Sequence, residues 1–95
     1  MSVTFFVPDY RNSNYELNVN NGNAGHLLTV GRILDDGQLL GSLSTSEMAS
    51  LLYNLREFVL DHRNSPDMVR FTGYLVKLSI LHGIALATKS RIAYG

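Results

Sequence analysis

The chain contains no cysteine and no tryptophan, and only 2 prolines among its 95 residues. Without cysteine there is no disulfide framework, no thiol nucleophile, no zinc ribbon and no iron–sulfur ligation, a composition that suits a reducing compartment. A surplus of either charge is missing too. Eight Lys and Arg balance 8 Asp and Glu, so no polyanionic partner is implied. Nucleic-acid binding would need a basic surface on a recognisable module, and the sequence offers neither. Long apolar runs are also lacking: the most apolar stretch, Leu75 to Ala87, carries Lys77 and His82 and falls short of the roughly 20 residues of a membrane span. The start, Met1-Ser2-Val3-Thr4-Phe5-Phe6, has no basic residue ahead of its apolar patch, unlike a secretory signal. The expectation is a soluble, cytoplasmic protein of a bacterium or an infected host cell, with no membrane contact.

What is present is a hydrophobic content of 45%, ample for one globular domain over residues 1–95. At this length folding hides only about 60–65% of the unfolded chain's surface, so self-association is expected to help. Val3 to Val7 is β-branched and aromatic, and Tyr15 to Asn20 alternates apolar and polar residues. Both read as strands, paired as an antiparallel hairpin across the polar loop Pro8 to Asn14. Asn20 to Gly25 is a cluster of turn formers ahead of a weak helix over residues 24–34, with Asn21 or Asn23 as its cap. A hairpin of residues 27–34 and 38–43 around Asp36-Gly37 is the alternative.

Ser44-Thr45-Ser46-Glu47 is a capping box, followed by Met48, Leu51, Leu52, Leu55, Phe58 and Val59 at helical spacing. A last helix is expected from about Pro66 to Ala87, with Ser65 as cap and Pro66 at its first position. It is apolar on two sides. Phe71, Leu75, Leu78, His82 and Ala85 form one stripe, and Val69, Val76, Ile80 and Ile84 a second. A surface helix in a monomer needs only one such stripe. The tail 88–95 is read as a short edge strand or a frayed end. The expected fold is therefore α+β: an N-terminal antiparallel β-hairpin packed on three helices, the last two an antiparallel helical hairpin.

Residues with chemistry are few. None of the 9 serines sits in a Gly-x-Ser-x-Gly elbow, and His26, His62 and His82 lack metal-binding spacing. Asp35-Asp36 reads as a solvated turn beside Gly37. No catalytic residue, metal or cofactor is expected. The candidate ligand site is the strand-to-helix turn: Asn21, Gly22, Asn23, Gly25 and His26. Free amides at a helix start suit a small anion, and the glycines would let it approach. The same residues also suit a plain turn. The candidate oligomer interface is Val69, Gly73, Val76, Ile80 and Ile84.

The run Glu16 to Ala24, followed by Leu27-Leu28 and later Gly41-Ser42-Leu43, resembles a pattern in small uncharacterised proteins of bacteria and their phages. There an Asn-rich strand end runs into a Leu-rich helix; here the resemblance covers roughly residues 15–45. It implies a small stand-alone protein, phage-borne in context, that acts by binding a host defence protein or a nucleotide signal. Two functions follow as expectations. The first is a non-enzymatic, self-associating protein that binds another macromolecule. The second is a nucleotide binder that uses residues 18–26.

Overall fold

A computed structural model describes residues 1–95. The elements run β1 (Ser2–Phe6), β2 (Leu17–Asn20), α1 (Asn21–Val30), β3 (Gly41–Leu43), α2 (Thr45–Asp61), α3 (Met68–Thr88) and β4 (Ile92–Tyr94). The fold is α+β. Four antiparallel strands in the order β2-β1-β4-β3 form one sheet, and the three helices pack with it.

The β1–β2 hairpin forms as expected, with Val3 opposite Val19 and Phe5 opposite Leu17. All four are buried, so one face of the hairpin meets the helices. The loop between the strands is held by Arg11, which ion-pairs with Glu16 at 2.7 Å and lies 3.9 Å over the Phe6 ring. That hydrogen bond holds the Glu16 carboxyl below the usual carboxylate range.

The tail corrects the expectation of an edge strand. β4 lies inside the sheet, paired with β1 through Phe5 opposite Tyr94 and with β3 through Leu43 opposite Ile92. Three residues are too few for a periodic signal, yet Ile92 and Tyr94 alternate into the core. The hairpin alternative around Asp36-Gly37 does not form, because residues 21–30 are helical and β3 pairs with β4.

Helix boundaries also shift. α1 starts at Asn21 and ends at Val30, earlier at both ends than residues 24–34. Its cap is Asn20, whose side chain accepts from the Asn23 amide at 2.8 Å, and not Asn21 or Asn23. The extended backbone of a strand's last residue already suits a cap, so β2 passes into α1 with no connecting loop. α2 keeps its capping box: Ser44 Oγ accepts from the Glu47 amide at 3.1 Å, and Glu47 Oε1 from the Ser44 amide at 2.9 Å. The carboxylate's bond to the Ser44 backbone holds the Glu47 pKa low. At the far end His62 Nδ1 and Arg63 Nη1 lie 2.8 and 2.9 Å from the carbonyls of Phe58 and Leu60.

α3 begins two residues beyond Pro66, and Ser65 contributes a backbone turn to Met68 rather than a side-chain cap. α2 and α3 pack as the expected antiparallel pair. Their inner faces, with Leu27, Leu28, Val7 and Ile92, complete a core of 21 hydrophobic residues that contains no polar or charged side chain.

Candidate functional site

The Asn-rich turn is a well-bonded corner. The Asn23 amide is occupied by Asn20, and the Asn21 amide donates to the Met1 carbonyl at 3.3 Å. Asn23 Oδ1 accepts from Arg70 Nη1 at 3.0 Å, while Arg70 Nη2 reaches Asp67 at 3.2 Å. His26, one turn further along α1, sets its exposed ring edge-on to Phe71 at 5.1 Å and to Phe58 at 5.7 Å. Gly25 faces Leu39. The five residues lie on one short segment, but their side chains and free amides do not converge on a shared cavity. Arg70, Phe58 and Phe71, which hold this corner, lie 32 to 47 residues along the chain from the residues they touch; no local spacing points to them.

The largest concavity lies elsewhere, a cleft of about 500 Å³ between the loop after α1 and β3. Asp35, Asp36, Ser42, Glu47, Asn54 and Tyr94 line it. Asp35 organises the loop, since Oδ1 accepts from the Leu39 amide at 2.7 Å and Oδ2 from the Tyr94 hydroxyl at 2.7 Å. Arg32, Asp36 and Leu39 all adopt positive φ, so the loop holds three non-glycine residues in the left-handed region. Tyr94 is buried, which together with the Asp35 bond raises its pKa. Arg32 also lines it, against the three carboxylates of Asp35, Asp36 and Glu47, so the cleft is net acidic. No group of three His, Asp or Glu residues is placed to hold a metal ion.

The third surface is the outer face of α3. Met68, Phe71, Tyr74, Leu78, Leu81 and Ala85 are its buried residues. On the opposite side Val69, Gly73, Val76, Ile80, Gly83 and Ala87 are exposed, spaced four, three, four, three and four residues apart. That is a heptad seam, the pattern of a helix that meets another helix. Val69 is 80% exposed, Val76 57% and Ile80 42%. Ile84 turns partly into the core, so Gly83 and Ala87 continue the seam instead. The nearby cations lean away from it: Arg70 toward Asn23 and Asp67, and Lys77 toward the Glu16 carbonyl at 3.4 Å. By length and composition α3 is also apolar enough to cross a membrane, although its other face belongs to the protein core.

No family model matches the chain, and neither curated proteins nor solved structures give a match.

Proposed function

We propose that this chain is a non-enzymatic binding protein that self-associates through the outer face of α3 and acts by binding another macromolecule. The exposed seam Val69, Gly73, Val76, Ile80, Gly83 and Ala87 carries the reading. Burying a Val or Ile from full exposure stabilises by about 1.5–3 kcal/mol, and these side chains are only partly covered within one chain. Contiguous exposed apolar surface of this kind marks an interaction site.

A phage-encoded inhibitor of a host defence protein is one form that such action by binding would take. The nucleotide reading draws less support, because the helix-start amides of Asn21 and Asn23 already have partners.

Sedimentation at micromolar concentration tests self-association. The wild type is expected to be a dimer or larger, and Ile80→Asp a folded monomer. A monomeric wild type would overturn the reading; one that also floats with phosphatidylcholine vesicles would assign α3 to a membrane surface.

A further inference from the structure

The α3 seam is symmetric about its own midpoint. Val76 and Ile80 lie two residues either side of position 78, Gly73 and Gly83 five, and Val69 and Ala87 nine. Resting on the self-association reading, we infer that two copies pair through α3 in antiparallel order about a two-fold axis at this midpoint. In that register Val76 faces the partner's Ile80, Gly73 faces the partner's Gly83, and Val69 faces the partner's Ala87. A closed two-fold contact requires this reciprocity, residue i meeting j while j meets i.

Bulk is distributed symmetrically about the midpoint only in this direction. Antiparallel pairing sets two Val–Ile layers at the centre, a Gly–Gly layer on each side, and a Val–Ala layer at each end. Parallel pairing would set Val against Val at one end and Ala against Ala at the other, forcing the helices apart at Val69. A Cβ built on Gly73 or Gly83 meets nothing within 4 Å in the single chain, so both positions are open to a second backbone.

A second feature fits the same axis. Leu86, 56% exposed, shares a depression with Ser44 and Thr45 at the start of α2, and so stands on the α2 side of the seam near its C-terminal end. At the N-terminal end, on that same side, Val59, Met68, Val69 and Thr72, with Arg63 and Ser65 at the connecting turn, line a groove of about 330 Å³ between α2 and α3. The two-fold brings the partner's Leu86 beside Thr72, at the mouth of this groove. Each copy thus offers one projecting side chain and one recess, related by the operator that aligns the seam. The paired length, residues 69–87, spans about 27 Å of helix, and the two groove contacts extend it sideways toward the roughly 1,000 Å² that a specific interface must bury.

The absence of cysteine makes the test direct. Val69→Cys/Ala87→Cys is expected to form a covalent dimer under mild oxidation or with a short bis-maleimide, while Val69→Cys alone does not. In the antiparallel register two copies of position 69 are about 27 Å apart. Leu86→Asp, which keeps α3 content by circular dichroism because the side chain is exposed, is expected to weaken the dimer at least tenfold. Cross-linking of Val69→Cys alone would show a parallel pair. A dimer that the double variant fails to trap, or that Leu86→Asp leaves unchanged, would also overturn this arrangement while self-association stands. A monomeric wild type would remove both.

Discussion

The Tyr94 hydroxyl donates to Asp35 Oδ2 across 2.7 Å, fastening the last strand to the loop that follows α1. Nothing bulky fits between them and β3: a Cβ on Gly41 would lie 2.7 Å from that hydroxyl. The phenol ring also stacks on Phe5 at 5.3 Å. One side chain therefore joins β1, β3, β4 and the loop.

Tyr94→Phe should keep the ring stack and lose only the bond to Asp35. A hydrogen bond to a charged group contributes about 1.5–3 kcal/mol, with the lower end expected because Asp35 is partly in contact with water. Urea denaturation measures this. The pH dependence gives a second readout. Burial, then Asp35, raises the phenol's folded pKa above its unfolded value of about 10. Its contribution is thus fully present below about pH 10 and lost as pH rises through the folded value. Tyr94→Phe should show a flatter decline in alkali than the wild type.

Gly41→Ala should disturb the same link from the other side. Its methyl group would displace the Tyr94 hydroxyl, at about 1–3 kcal/mol for an overpacked site. Because both changes act on one contact, Gly41→Ala and Tyr94→Phe together should cost less than their sum. Strict additivity in a double-mutant cycle would show that the two residues act separately.

Asn20→Ala should destabilise by about 1 kcal/mol as a lost helix cap, and Asn21→Ala by much less. Thermal melts of the two variants compare them directly. Equal losses would contradict the assignment of the cap to Asn20.

Ser44→Ala should also cost about 1 kcal/mol, and it should change the acid limb of stability. The bond from the Ser44 backbone, aided by the Ser44 hydroxyl and by Arg91, keeps the folded pKa of Glu47 below its unfolded value. This contribution is present above about pH 4.5 and lost as pH falls through the folded pKa. Glu47→Gln should therefore melt with less dependence on pH between about 5 and 3.

The α2–α3 hairpin is legible in the sequence because both of its helices are long and periodic, and the Ser44–Glu47 box marks a start that the hydrogen bonds reproduce. The sequence allows a short strand in residues 38–43 and in the tail, but not their pairing or the inner place of β4. Each has three residues, and their pairing is decided by distant strands. The start of α1 is not fixed by local sequence, because Asn20, Asn21 and Asn23 are equally good caps in isolation and only the end of β2 selects among them. On α3, two apolar stripes are visible in the sequence, but only the position of the core takes Ile84 out of the outer one. The 4-3 spacing that runs through Gly73, Gly83 and Ala87 was available in the sequence; small residues simply give hydrophobic patterning little weight.

The central position of β4 shapes how the chain must fold. Ten residues separate β1 from β2, whereas 85 separate β1 from β4. Closing the longer loop costs about 2 kcal/mol more, three doublings of length at about 0.6 kcal/mol each. Local units, the β1–β2 hairpin and the α2–α3 pair, can form early, while zipping β4 between β1 and β3 is the late, non-local step. Substitutions at Ile92 or Tyr94 should then accelerate unfolding far more than they slow folding, so the strand that completes the sheet sets the lifetime of the native state rather than the speed of reaching it.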